Sequence, residues 1–127
     1  MKAKSISMIL IVALASIALS VIVFRSHTVQ TPASAGVGAT IYRTSEGFSP
    51  SEVFIRKGES IVFINSSEEA MWPASDMHPT HEDYPLFDPR EPIAPGDSWT
   101  FVFENEGVWL FHDHLRSSRT GKVRVDP

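Results

Sequence analysis

Short β-prone stretches, separated by glycine and proline turns, run from residue 39 to the end of this 127-residue chain. Residues 53–58 form a strand pattern that closes in a glycine turn. Residues 59–65 are too apolar to alternate cleanly, which indicates a strand covered on both faces. Residues 98–104 alternate with aromatic side chains on one face, and residues 121–125 predict a last strand. Because no helical period accompanies these strands, the pattern predicts one all-β domain, a β-sandwich.

The first 25 residues differ from the rest, and we expect them to lie outside the sandwich. Residues 6–24 carry no charge, with Lys2 and Lys4 before them and Arg25 after them. This run is close to the roughly 20 residues that span a bilayer and longer than the apolar core of a usual signal peptide. Residues 1–25 are therefore predicted to be a signal-anchor or transmembrane helix. The lysines would keep its N-terminal end in the cytoplasm and place the following chain outside.

Residues 26–37 are rich in small residues and predict a flexible tether that leads to the domain, residues 38–127. The segment Ala33-Ser34-Ala35 has the small-x-small form that signal peptidase accepts, so a cleaved signal peptide is the alternative to an anchor. With either reading the domain is extracytoplasmic, periplasmic or on the outer face of the cell membrane, and it is membrane-anchored or secreted.

The net charge and the absence of cysteine restrict the partners and the source of stability that we expect. The net charge is −4 and the basic residues are scattered, which argues against nucleic acid as a partner. The chain contains no cysteine. A domain outside the cytoplasm could form disulfides, so this one is expected to rely on its core alone.

Four of the five histidines lie in two clusters, His78-Pro-Thr-His81 and His112-Asp-His114. If residues 108–115 form a strand, its period of two points His112 and His114 to the same face. The spacing of His78 and His81 suits a loop or a single turn. Imidazole donors without a thiolate favour copper or zinc. Either cluster alone is as often an ordinary surface feature, so the fold has to decide whether they meet. The fifth, His27, is left out of the site.

The order of strand and turn signals resembles that of the cupredoxins, the blue-copper β-sandwich family. The stretch Gly107-Val-Trp-Leu-Phe-His-Asp113 is similar to the amicyanin and plastocyanin strand that ends in the copper cysteine. The resemblance covers nearly the whole of residues 38–127 and implies a Greek-key, cupredoxin-like sandwich. The segments that carry it are Phe48-Ser49-Pro50, residues 55–58, 62–65, 93–96 and 101–103, and Gly121-Lys122-Val123.

The resemblance fails at the family's metal ligands. Asp113 stands at the cysteine position, Arg116 at the second histidine position and Arg119 at the methionine position. The upstream histidine position falls on or beside Trp72. Because no thiol exists in the chain, a thiolate-bound blue copper is excluded.

A second resemblance concerns the histidines that remain. In multicopper oxidases and copper nitrite reductases, built from cupredoxin domains, a further copper site uses histidines that flank the cysteine position. His112 and His114 flank Asp113 in this way, and His78 and His81 fall where the partner histidines are expected. The resemblance thus implies a non-blue metal site formed by all four, with copper as the first choice and zinc as the alternative.

Three function classes follow from this reading. The first is an extracytoplasmic copper-binding protein for electron transfer or copper handling, with a redox or copper-transfer protein as partner. The second is a copper oxidoreductase that is active as an oligomer, and the third is a metal-free assembly or interaction module. An enzyme is thus the runner-up. Met71 and Met77 are candidate soft ligands for Cu(I). The carboxylates expected to orient the imidazoles are Asp76, Glu82, Asp83 and Asp113.

Overall fold

The computed structural model describes residues 36–127. The predicted anchor, residues 1–25, and most of the predicted tether, residues 26–37, lie outside the described residues. Within the described part of the chain, no helix is long and apolar enough to cross a membrane. The first strand begins at Val37, the last residue of the predicted tether.

The described residues form two four-stranded sheets, which confirms the prediction of an all-β sandwich. The strands are β1 (Val37–Arg43), β2 (Phe48–Ser49), β3 (Glu52–Arg56), β4 (Ser60–Asn65), β5 (Pro73–Ser75), β6 (Ser98–Val102), β7 (Gly107–Asp113) and β8 (Arg116–Asp126). One sheet has the order β2-β1-β4-β6 and the other the order β3-β8-β7-β5. The β1–β4 and β3–β8 pairs are parallel, and the other pairs are antiparallel.

Aromatic side chains fill the space between the sheets. Phe63 of β4 lies edge-on to Phe111 of β7, with ring centroids 5.5 Å apart. Phe87, from the connection between β5 and β6, packs against both rings at 5.7 Å. All three are fully buried. These contacts join the two sheets through a core that also anchors the β5–β6 connection.

The β7–β8 hairpin differs in two ways from the sequence prediction. The strand β8 begins at Arg116, well before residue 121, because it pairs with β7 along its whole length. The strand β7 ends at Asp113, so His114 lies in the turn that follows it and not on the strand. A register shift between His112 and Asp113 marks this end. The predicted strand over residues 108–115 therefore extended two residues too far at its C-terminal end.

Gly121 holds the hairpin close to the core. A Cβ atom at this position would lie 2.2 Å from Cζ of Phe111, which is too close for any side chain. The absence of a side chain thus lets the Phe111 ring sit against β8, directly before His112.

The segment that follows β5, residues 76–88, is called the site loop below. Its two anchors are the buried rings of Tyr84 and Phe87. The buried Ser75 hydroxyl accepts a hydrogen bond from the Tyr84 amide at 3.1 Å and lies 3.1 Å from the carbonyl oxygen of His81. The site loop therefore folds back on β5, which itself pairs with the end of β7 through Ala74 and His112.

Candidate metal centre

The structure brings together the four histidines that the sequence analysis selected. His78 and His81 come from the site loop, His112 from the end of β7, and His114 from the following turn. One ring nitrogen from each lies within 4.8 Å of the corresponding nitrogen of every other. His81 and His112 are buried, His114 is half-buried and His78 is exposed. The cluster thus has a buried side and an open side.

Two nitrogen pairs define the shape of this cluster. His78 Nδ1 lies 3.1 Å from His112 Nε2, and His81 Nε2 lies 3.0 Å from His114 Nδ1. Each pair joins one histidine of the site loop to one of the hairpin. In a tetrahedral site with metal–nitrogen bonds of about 2.0 Å, neighbouring ligand nitrogens are about 3.3 Å apart. The two short edges are therefore close to those of a metal-binding cage.

Carboxylates orient the two buried imidazoles. His112 Nδ1 lies 2.8 Å from Asp76 Oδ1, and His81 Nδ1 lies 2.7 Å from Asp88 Oδ2. A carboxylate accepts from a protonated Nδ1, which leaves the lone pair on Nε2. In both residues Nε2 is the atom that faces the cluster. His81 and His112 therefore present Nε2 to a common point, whereas His78 and His114 present Nδ1.

Asp88 has more partners than His81 alone. The indole Nε1 of Trp72 donates to Asp88 Oδ1 at 2.8 Å, and the Arg90 amide donates to the same oxygen at 2.8 Å. Burial acts to raise the pKa of Asp88, but the hydrogen bonds outweigh it, so the pKa lies below the usual range for aspartate. Asp88 is thus a fixed carboxylate in contact with a candidate ligand.

The other three histidines affect the protonation of His114. Burial, followed by the charges of the three neighbouring imidazoles, places the pKa of His114 below its ordinary value. The Trp72 ring covers one side of His114, with centroids 4.8 Å apart. The neutral imidazole, the form that binds a metal, is thereby favoured.

Asp113 points away from this cluster and is fully buried with Arg43 of β1. Arg43 Nε donates to Asp113 Oδ2 at 2.9 Å, and neither side chain is exposed. The amides of Trp72 and Leu115 both donate to Asp113 Oδ1 at 3.1 Å. Arg43 also donates through Nη1 to the Thr44 carbonyl, while its Nη2 has no partner among the described residues. The position that the sequence resemblance matched to the cupredoxin cysteine thus holds a buried ion pair.

The other departures from the family pattern lie nearer the surface. Arg116 Nη2 donates to Glu69 Oε1 at 2.8 Å, with both side chains exposed. This contact places the pKa of Glu69 below its ordinary value and raises that of Arg116. Arg119 lines a surface cavity together with Glu69. Asp113 and Arg116 therefore form ion pairs, and Arg119 belongs to a polar surface.

Not every residue that was expected near the histidines is found there. Asp76 contacts His112, which confirms that prediction, whereas Asp113 pairs with Arg43 and was wrongly assigned to the imidazoles. Glu82 and Asp83 are exposed. Asp88 was missed in this role, because it lies seven positions after His81 along an irregular loop and no spacing rule connects the two.

The two candidate methionines also separate. Met71 is fully buried in the core cluster, so its thioether packs against apolar side chains. Met77 is 62% exposed and directly precedes His78. Only Met77 therefore remains as a candidate soft donor near the open side of the site.

No family model matches this chain, and no curated protein matches its sequence. Solved structures do match. A purple cupredoxin from Nitrosopumilus maritimus has 23% identity and a TM-score of 0.61, over 69% of this chain and 99% of that one. Amicyanin from Paracoccus versutus has 17% identity and a TM-score of 0.58, over 76% and 86% of the two chains.

A third similar structure is a copper-containing nitrite reductase from Thermus scotoductus, with 16% identity and a TM-score of 0.60. The match covers 72% of this chain but only 23% of the reductase. At these identities the likeness establishes the fold. The described residues form a two-sheet sandwich of the cupredoxin class. More particularly, this is a cupredoxin-like domain that lacks the cysteine ligand and carries a cluster of four histidines.

Proposed function

We propose that this protein binds one copper ion through His78, His81, His112 and His114. The observation that carries the proposal is the convergence of four imidazole nitrogens within 4.8 Å. Two of these imidazoles are oriented by carboxylates, as is usual for metal-binding histidines.

The donor set fits copper and also zinc. Neutral imidazoles suit Cu(II) and Zn(II), and no thiolate or carboxylate is needed in the cage. Asp76 and Asp88 place two negative charges just outside it, which offset the charge of a divalent ion. A bound copper ion would supply a one-electron couple, whereas zinc would supply none.

The proposed role is electron transfer or copper handling outside the cytoplasm, with residues 1–25 as a membrane anchor or signal. The exposed position of His78 supports this role, because a redox or copper-transfer protein could reach the site from that side. The exposed thioether of Met77 beside it favours copper handling in particular, since it is a soft donor for Cu(I).

A copper oxidoreductase that is active as an oligomer is the second candidate. The same open side favours it, because a small oxidant or a donor from another subunit could approach the ion there. Consumption of oxygen or nitrite by the copper-loaded protein would support this candidate over the first.

The test is copper binding by the full chain, purified in detergent, with His112→Ala and His81→Ala as variants. His27→Ala is the matched control, because it removes a histidine that was not assigned to the site. We expect one copper per chain and a nitrogen-rich, non-blue electron paramagnetic resonance signal in the wild type and the control. Both site variants should lose this signal.

Two outcomes decide between the alternatives. Retention of zinc but not copper would show that the four histidines form a zinc site. Failure to retain either metal at micromolar free concentration would overturn it and favour the metal-free interaction module.

A further inference from the structure

We infer that Trp72 tunes the copper site, by sharing the carboxylate of Asp88 with His81. The inference rests on the proposed function, since it concerns the relative stability of Cu(II) and Cu(I) in the four-histidine cage. Trp72 is assigned here as a positioning residue that acts through Asp88.

The first observation is a continuous hydrogen-bonded chain. The indole Nε1 donates to Asp88 Oδ1 at 2.8 Å, and Asp88 Oδ2 accepts from His81 Nδ1 at 2.7 Å. The Asp88 side chain is only 10% exposed, so water competes little for its oxygens. The indole and the imidazole therefore draw on the same buried carboxylate.

The second observation is the contact between Trp72 and a different histidine. Its ring lies against His114 with centroids 4.8 Å apart and an interplanar angle of 45°. The backbone is fixed as well, because the His114 amide donates to the Trp72 carbonyl at 2.8 Å. Trp72 thus contacts His114 directly and reaches His81 through Asp88.

The other two tryptophans show that this placement is particular. Trp99 and Trp109 pack against the hydrophobic core cluster. The indole of Trp109 donates to the carbonyl of Asn105 at 3.1 Å, a contact with the turn directly before its own strand β7. Trp72 instead contacts Asp88 and His114, so its indole N–H is directed to the metal centre.

The direction of the effect follows from competition for the carboxylate. Without the indole N–H, Asp88 would accept only from His81 and from the Arg90 amide. It would then draw the His81 Nδ1 proton more strongly and make Nε2 a stronger electron donor. A stronger nitrogen donor stabilises Cu(II) more than Cu(I). The indole N–H moderates this pull, and it thereby raises the midpoint potential of the site.

The experiment replaces the N–H and keeps an aromatic ring. In the copper-loaded full chain, Trp72→Phe should lower the Cu(II)/Cu(I) midpoint potential. We expect the ratio of the two dissociation constants to shift in favour of Cu(II) by roughly threefold to tenfold, the size of one hydrogen bond. Trp109→Phe is the matched control and should leave the potential unchanged. In the metal-free protein, the His81 Nδ1 proton resonance should move downfield in Trp72→Phe.

A potential that is unchanged or raised in Trp72→Phe would overturn the role of Trp72 and leave the copper site standing. A wild-type chain that binds no copper would overturn both. If Trp72→Phe folds poorly, incorporation of 5-fluorotryptophan tests the same contact, because fluorination makes the indole N–H a stronger donor. The potential should then rise, and an unchanged value would again contradict the inference.

Discussion

Two different groups of polar side chains lie at the end of β7: a buried ion pair and a cluster of histidines. On one side, Asp113 faces Arg43, and both charges are fully buried in a direct ion pair. On the other side, His112 and His114 face two more imidazoles, and the cluster found among the described residues consists of four histidines. The chain supplies its own cation beside Asp113, the position that the sequence resemblance matched to the cupredoxin cysteine. At the histidines it supplies only the donors.

Removal of one side chain should have different consequences in the ion pair and in the histidine cluster. A buried ion pair leaves an uncompensated charge inside the protein when it is broken, and this is costly to the fold. Removal of one imidazole from the cluster leaves no permanently charged lysine or arginine without its partner, so the expected cost to the fold is smaller. Substitutions at Asp113 should therefore affect stability, and substitutions around the histidines should affect metal affinity.

The largest expected effect is that of Asp113→Ala. It leaves the Arg43 guanidinium buried without its carboxylate, and the amides of Trp72 and Leu115 lose their acceptor. We expect the free energy of unfolding to fall by about 3–5 kcal/mol. Denaturant unfolding of the metal-free protein measures this, with the exposed Asp83→Ala as control. A loss as small as that of the control would show that the pair contributes nothing.

The next effect tests the histidine side. Asp88→Asn removes the charge that fixes His81 and should weaken copper binding roughly 10-fold to 100-fold. The free energy of unfolding should change less than in Asp113→Ala. Glu82→Gln is the matched control, since that carboxylate is exposed and close in sequence. Competition titration with a copper chelator gives both affinities, and equal values would contradict the assigned role of Asp88.

A fall in pH should reduce both the stability that His114 contributes and the copper affinity. The folded protein lowers the pKa of His114, so it binds fewer protons there than the unfolded chain does. The associated stability is present above the unfolded value, about 6.5, and is lost as the pH falls through the lower folded value. Copper affinity should fall as the pH drops through the histidine range, because a protonated imidazole cannot bind the ion. Affinity that stays flat down to about pH 5 would argue against histidine ligands.

The smallest effect is expected at the surface pair between Arg116 and Glu69. Both side chains are more than half exposed, so solvent screens the pair. Glu69→Gln should leave the unfolding transition and the copper affinity close to those of the wild type. A shift comparable to that of Asp113→Ala would remove the contrast between the buried and the surface positions.

The sequence predicted the sandwich because its signals are local. The alternation in β3 buries Val53 and Ile55 and exposes Phe54, as a period of two requires. The turns were marked by glycine and proline. The strand β5 escaped prediction, because it has three residues and begins with Pro73, and its pairing partner lies far away in the chain.

The site was only partly predictable for a related reason. The four histidines were visible as clusters, whereas Asp88 depends on the path of an irregular loop. The burial of Arg43 has a local signal in the sequence. Arg43 lies two residues after the buried Ile41 in β1, so the strand period places it on the inner face. A charged residue at an inward position requires a buried partner, and the sequence alone did not identify Asp113.

Two of the four histidines belong to the site loop and two to the β7–β8 hairpin. A bound ion would tie the site loop to the hairpin across 34 residues of chain, the separation of His78 and His112. Closing a span of that length by a covalent or metal clip restricts the unfolded chain. In a chain without cysteine, the ion would then serve as the cross-link that a disulfide provides elsewhere. Loading the metal should slow proteolysis within the site loop first.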